Sequence, residues 1–435
     1  MERKIVEKLL KWKDNPEKMP LVLQGARQVG KTYSILSFGK EYYKNVAYFN
    51  MEESKEIAAV FRRDLDPGRI VKELSVLSGQ TIIPKDTLLI FDEIQACEQA
   101  LISLKYFAER APEYHIIAAG SLLGVAMKRE DYSFPVGKVD MLHMFPMDFE
   151  EFLWAISYKK MSELIRSAYC DYSPLSIHEK ALDLYKTYLV VGGMPRAVYE
   201  YVNKNDFDFV ANIQRTLNDS YIADMAKYTT PQETTRNMAA WASVPAQLAK
   251  ENHKFQYKVI KSGARAGEYE SALNWLTAAG MISKCINVTQ GKMPLEAYMQ
   301  SEIFKVYMVD TGLLCSKFDI AANVILNTPH SFDGFKGALA ENYIYQALVT
   351  NGIKPYYWSS QGKAKVDFVF QNRQGMIIPL EAKSSENVRS KSLRNYIGIY
   401  KPPYSIRVSA KNFGFENGIK SIPLYAVYCL DIDDL

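Results

Sequence analysis

Short, continuous apolar runs recur along the first 150 positions, at residues 21–24, 46–50, 87–91 and 115–119. They do not alternate with polar residues, as strands covered on both faces of a parallel sheet require. Residues 139–145 supply a fifth strand, and helical stretches separate the runs, which predicts a doubly wound α/β domain. Charges interleave with Ile5, Leu9 and Leu10 at the start of the chain, giving an amphipathic helix rather than the apolar core of a signal peptide.

From 148 to 237 the pattern becomes helical, with Gly192, Gly193 and Pro195 marking a turn. Residues 238–322 carry two short helical segments, an amphipathic helix at 268–279, and strands at 281–288 and 304–309 around a Gln290-Gly291-Lys292 turn. Helices followed by a hairpin predict a winged helix. A linker spans 323–335. Beyond it lie a helix (337–350), strands (356–359, 365–371 and 376–382), a helix (388–400) and strands (405–408 and 421–430). This patterning predicts an α/β fold class. With the G-x-x-x-x-G-K-[ST] motif at Gly25–Thr32, the expected arrangement is a P-loop NTPase domain with a parallel sheet over 1–147, a helical segment over 148–237, a winged-helix middle domain over 238–322, and an α/β domain over 336–435.

A length of 435 residues suits two or three such domains. No apolar run approaches the length of a membrane span, so no membrane partner is expected. Cys97, Cys170, Cys285, Cys315 and Cys429 form no CxxC pair, which argues against a disulfide framework and for a cytoplasmic setting. A net charge of +4 permits nucleic-acid binding without arguing for it.

Candidate chemistry begins directly after the first strand. Gly25, Ala26, Arg27, Gln28, Val29, Gly30, Lys31 and Thr32 fit G-x-x-x-x-G-K-[ST], a loop whose backbone N–H groups ring phosphates at a helix N-terminus. Lys31 would neutralise phosphate charge and Thr32 would ligate Mg²⁺. The run 88–91 ends in Asp92 and Glu93, an Mg²⁺-holding carboxylate and a general base for the attacking water. Ser121, after the 115–119 strand, suits a γ-phosphate sensor. Arg129 and Arg196 are candidate transition-state arginines, whereas Arg27 is expected to face outward or pack locally. ATP and Mg²⁺ are the expected ligands.

An extra strand between the two motifs, and a Glu directly after the acidic strand end, resemble AAA-type ATPases. The loop 25–32, Phe91-Asp-Glu-Ile-Gln95, Gly120-Ser-Leu-Leu123, Phe145-Pro-Met-Asp-Phe-Glu-Glu-Phe152 and Gly192-Gly-Met-Pro195 together resemble a prokaryotic family of ATPases. Its members share a C-terminal domain of unknown function. Ser243-Val-Pro-Ala-Gln-Leu248, Lys305-Val-Tyr-Met-Val-Asp-Thr-Gly-Leu313 and Gly337-Ala-Leu-Ala-Glu-Asn342 are similar to that domain. The resemblance implies ATP binding and raises the expectation of a homo-oligomer.

A second constellation lies near the C-terminus. Strand 365–371 carries Asp367, and strand 376–382 leads through Glu381 to Lys383 two positions on, on one face of the sheet. Glu341, on the preceding helix, can close the cluster. Asp367 and Glu381 would hold Mg²⁺, and Lys383 would orient the attacking water. This helix–strand–hairpin order resembles the restriction-endonuclease-like nucleases. An inactive binding module, or charges on a solvent face, would look similar.

Lys250, His253, Lys254, Lys258, Lys261 and Arg265, interleaved with Phe255, Tyr257 and Tyr269, make a locally basic stretch suited to DNA phosphates or to a solvated face. Two functional readings follow. One is an ATPase coupling nucleotide state to a DNA-binding, candidate nuclease module. The other is a nucleotide-dependent protein-interaction or signalling switch with a catalytically inactive C-terminal domain.

Overall fold

A computed structural model of the chain describes residues 1–121, 123–126, 134–250, 254–327, 335–360, 364–383 and 391–432. They fall into two compact units. The first comprises Glu2–Phe145 with Ala278–Met281, and the second comprises Pro146–Thr277 with Ile282–Leu435, together with Met1. Among the described residues no helix is long and apolar enough to cross a membrane.

The first unit is built on five parallel strands: β1 (Leu21–Gln24), β2 (Asn45–Asn50), β3 (Thr87–Asp92), β4 (His115–Gly120) and β5 (Asp140–His143), in the order β2-β3-β4-β1-β5. Every residue of β3 and β4 is buried, as unbroken apolar runs in central strands require. At the edge, β5 alternates half-buried and exposed positions. The extra strand β2 takes the opposite edge, beside β3. The register aligns Gln24 with Gly120 and Asn50 with Asp92. Strands β1, β3 and β4 thus deliver Gly25, Glu93 and Ser121 just beyond their carboxyl ends, where ligands bind in open parallel sheets.

Although distant in sequence, Ala278–Met281 belongs to this unit. Gly280, at φ +70°, lies so close that a Cβ there would sit 3.3 Å from the Ala26 nitrogen. A Cβ on Gly124 would meet the Ala278 carbonyl oxygen at 2.4 Å.

The second unit opens with helices Phe149–Ala155, Lys159–Asp171, His178–Val191, Pro195–Lys204, Phe207–Tyr228 and Pro231–Leu248. Asp148 and Glu151 form a reciprocal capping box on the first of these, and Thr230 and Glu233 form another on the last. Three sequence motifs converge on one buried node. The Met147 N–H donates to the Gly193 carbonyl at 2.7 Å, and the Gly193 N–H donates to Asp310 Oδ2 at 2.6 Å. Any side chain at Gly193 would collide with the Met147 carbonyl, at 1.9 Å from the Cβ position.

Helices Tyr257–Ile260 and Ala266–Ala278 lead into β6 (Ile282–Val288) and β7 (Met299–Met308), an antiparallel hairpin. The remaining strands are β8 (Tyr356–Ser360), β9 (Ala364–Gln371), β10 (Ile377–Ala382), β11 (Ser405–Ser409), β12 (Gly414–Glu416) and β13 (Ile419–Pro423). All eight form one mixed sheet, ordered β12-β13-β11-β10-β9-β8-β6-β7. The hairpin joins it through two parallel pairs, Asn287 with Tyr357 and Val288 with Trp358.

Two local expectations are corrected. The strand expected over 421–430 ends at Pro423 and gives way to the 3-10 helix Leu424–Cys429, since Pro has no N–H to continue a ladder. Before it lies β12, an unexpected edge strand, turned back by Asn417 and Gly418, both at positive φ. The expected linker 323–335 instead opens with helix Ala322–Leu326, and residues 328–334 lie outside the described residues.

Candidate nucleotide site and the C-terminal charge cluster

The loop Gly25–Lys31 leaves β1 and feeds helix Lys31–Tyr42. Gly25, Gln28 and Gly30 all adopt positive φ, at 150°, 65° and 92°. Gly25 must be glycine, because a Cβ would lie 2.2 Å from the Met144 carbonyl oxygen. Ala26 and Val29 are buried beneath the loop, Arg27 is half-buried and Gln28 is exposed. Lys31 is 7% exposed, and its ammonium donates to the Gly25 and Ala26 carbonyls, each at 2.9 Å. Burial lowers its pKa to about 8, opposed by Glu93 and Asp92. Thr32 Oγ1 donates to Asp92 Oδ2 at 2.7 Å, and the Tyr48 hydroxyl donates to the same oxygen at 2.9 Å.

Glu93 follows Asp92 in a left-handed conformation, φ 47°. Its Oε2 accepts from Gln95 Nε2 at 2.5 Å and from Ser121 Oγ at 3.3 Å. The structure therefore groups Lys31, Thr32, Asp92, Glu93 and Ser121 at the sheet's carboxyl edge. Thr32 and Asp92 in contact suit the protein side of an Mg²⁺ site completed by phosphates and water, and the loop suits a triphosphate. Leu122 and Arg129 lie outside the described residues, and Arg196 is exposed in the first turn of Pro195–Lys204.

Sequence reasoning passed over two residues here. Arg3 is buried and donates to the Val29 carbonyl at 2.9 Å and the Phe145 carbonyl at 2.8 Å, tying loop to sheet. Its only signal was a charge beside an amphipathic helix. Gln95 closes the Phe91–Gln95 motif, and its donation to Glu93 is not marked by any spacing in the sequence.

In the second unit, three strands each bring two residues onto one face by their period of two: Lys305 and Tyr307 on β7, Lys365 and Asp367 on β9, Glu381 and Lys383 at the end of β10. Glu341 joins them from helix Phe335–Thr350. Lys305 is wholly buried; its Nζ contacts Glu341 Oε1 and lies 3.9 Å from Asp367 Oδ1. Burial pulls its pKa down, while Glu341 opposes the shift. The Tyr307 hydroxyl donates to the same Glu341 oxygen. Asp367 Oδ1 lies 3.4 Å from Lys365 Nζ, and Oδ2 accepts from the Ala382 N–H at 3.1 Å. Glu381 Oε1 lies 3.0 Å from Lys383 Nζ. The expected residues do come together. Their carboxylates face ammonium groups, a donor set that does not fit a divalent cation. Among the described residues no group of three His, Cys, Asp or Glu is arranged to hold a metal ion.

The family comparisons agree with the first unit. Residues 17–153 match the model of the AAA domain, and residues 336–427 match a domain of unknown function, DUF4143. The chain is thus an AAA-type ATPase domain followed by a C-terminal domain of unknown function. Residues 182–323 match a further domain of unknown function, DUF8612, which takes in the motifs at 243–248 and 305–313. No curated protein matches the sequence significantly. Among solved structures, a Walker-type ATPase of Pyrococcus abyssi is similar at 14% identity and TM-score 0.46, over 73% of this chain and 95% of that one. The RuvB Holliday junction branch migration motor of Thermotoga maritima is similar at 14% identity and TM-score 0.33, over 68% and 91%. The Aeropyrum pernix ORC1 protein, solved in complex with DNA, is similar at 11% identity and TM-score 0.31, over 73% and 91%.

Proposed function

We propose that this chain hydrolyses ATP with Mg²⁺ at the loop 25–32 and couples nucleotide state to DNA binding by its second unit. The observation that carries the ATPase reading is the Thr32–Asp92 contact beside Lys31, with Glu93 next in the chain. Bound Mg²⁺ would supply charge neutralisation at the phosphates. Lys31 would leave the Gly25 and Ala26 carbonyls for the phosphates. Glu93 would take the proton from the attacking water, with Ser121 and Gln95 orienting its carboxylate.

The DNA reading draws on exposed Lys254, which precedes helix Tyr257–Ile260, Lys258 on it, and Lys261 and Arg265 after it, ahead of Ala266–Ala278 and the β6–β7 hairpin. His253 lies outside the described residues. That order suits a winged helix with a phosphate-facing approach. We propose 1–147, 148–237, 238–322 and 336–435 as functional divisions rather than separate folding units, since helix Pro231–Leu248 crosses the second boundary and β6–β7 share a sheet with β8–β13. For the last we propose a restriction-endonuclease-like fold.

ATP turnover by purified full-length chain, compared with Lys31→Ala, tests the first part; equal turnover would overturn it. Fluorescence anisotropy with duplex DNA, with and without ATP, tests the second. The triple variant Lys258→Glu, Lys261→Glu, Arg265→Glu should weaken binding and reduce the slope of log affinity against log salt by about one for each lost phosphate contact. No DNA binding by the wild type would favour the protein-interaction switch, which the lysine-paired cluster also suits.

A further inference from the structure

We infer that the Lys305 ammonium occupies the place of a divalent cation in the C-terminal cluster, so this domain neither binds a catalytic metal there nor cleaves phosphodiesters. Three carboxylates (Glu341, Asp367 and Glu381) meet three lysines (Lys305, Lys365 and Lys383), and their formal charges cancel. A proton shared within the Lys305–Glu341 pair leaves that pair's total charge unchanged. The negative potential that draws Mg²⁺ to carboxylates is therefore already compensated.

Lys305 is also placed so that it cannot step aside. It has no exposed surface, and its Nζ lies 5.1 Å from the Tyr357 ring centre and 5.8 Å from that of Phe368. A metal entering between Glu341 and Asp367 would have to share a buried space with this ammonium, or drive it into the aromatic wall, and either is strongly unfavourable. The ammonium does the tying that a metal would do, joining β7, helix Phe335–Thr350 and β9.

The cluster differs here from the ExK pattern in the sequence. That pattern accounts for Lys383 alone, whereas Lys305 and Lys365 add two positive charges. The inference is independent of the nucleotide site and of the basic stretch 254–265, so loss of either of those readings would leave it standing.

The test is Mn²⁺ binding to the full chain without nucleotide, read by electron paramagnetic resonance, with thermal midpoints in Mg²⁺ and Mn²⁺. Wild type and Asp367→Asn should give coincident isotherms, and the wild-type midpoint should move by less than about 1 °C with either metal. Lys305→Gln should bind Mn²⁺ at least about tenfold more tightly than wild type. That gain should disappear when Asp367→Asn is added. A wild-type Mn²⁺ site abolished by Asp367→Asn, or metal-dependent nicking of plasmid abolished by Glu381→Ala, would overturn the inference. So would a folded Lys305→Gln variant with unchanged Mn²⁺ affinity. If that variant does not fold, the comparison of wild type with Asp367→Asn decides alone.

Discussion

Thr32 Oγ1 and Asp92 Oδ2 are hydrogen-bonded at 2.7 Å across 60 positions of sequence. The hydroxyl at the head of the helix that follows β1 and the carboxylate at the end of β3 are thus preassembled, with the Tyr48 hydroxyl fixing the same oxygen. Such preorganisation means that these two groups have little distance to move when a metal–nucleotide complex arrives, whereas Lys31 has to leave the Gly25 and Ala26 carbonyls.

Glu93 should be separable from the binding elements. Glu93→Gln is expected to keep ATP affinity and lower turnover by roughly 10²–10⁴-fold, the usual range for a general base. Lys31→Ala should lose binding itself. Equilibrium binding of a fluorescent ATP analogue beside steady-state turnover checks both, and equal turnover in Glu93→Gln would remove its assigned role.

The low pKa of Lys31, about 8, makes ATP affinity depend on pH. Above that value the free protein holds a neutral amine, while phosphate contact favours the ammonium, so binding takes up a proton. Affinity should fall by up to about tenfold per pH unit above 8. Calorimetry in buffers of different ionisation enthalpy should detect the uptake, and Lys31→Arg should remove it.

Asp310 gives a second pH signature, in stability. Burial raises its carboxyl to about 6 from an ordinary 3.8, opposed by the Gly193, Leu313 and Gly312 N–H groups. The folded state holds this proton more tightly than the unfolded state does. Its stabilising contribution is therefore complete below about 3.8 and is lost as pH rises through 6, a change of about 3 kcal/mol. Urea denaturation between pH 4 and 7 should show the decline, and Asp310→Asn should flatten it.

Gly193→Ala should destabilise the second unit by more than about 3 kcal/mol, because its Cβ would overlap the Met147 carbonyl. Thermal unfolding followed by circular dichroism would show the loss.

Much of the first unit was legible because its strands are fully buried and its loop motif has a strict spacing. Local patterning also found most strands of the mixed sheet, but not β12, and it carried the last strand past Pro423. It did not find their joining, because β6 meets β8 through only two residue pairs that no periodicity marks. The C-terminal cluster was half visible. Asp367, Glu381 and Lys383 stand two apart or in motif spacing, but Lys305 reaches Glu341 from a strand 36 positions earlier. A lone charge within the apolar run 304–309 was its signal. The Asn417-Gly418 pair was likewise the overlooked signal for the hairpin that closes with β12. The GGMP and VDTGL motifs are explained by packing, since Gly193 and Asp310 serve the same buried node.

Ala278–Met281 carries a consequence for how the molecule is made. The first unit draws its last strip of chain from more than 130 positions downstream, so a nascent polypeptide stalled near residue 150 lacks the backbone that lies against Ala26. The nucleotide loop emerges early from a ribosome yet stays unbuttressed until the helix Ala266–Ala278 has been synthesised and β6 is about to begin. Completion of the ATPase is thereby timed to synthesis of the segment that opens the mixed sheet, and expression of residues 1–147 alone leaves an unfinished wall beside the loop.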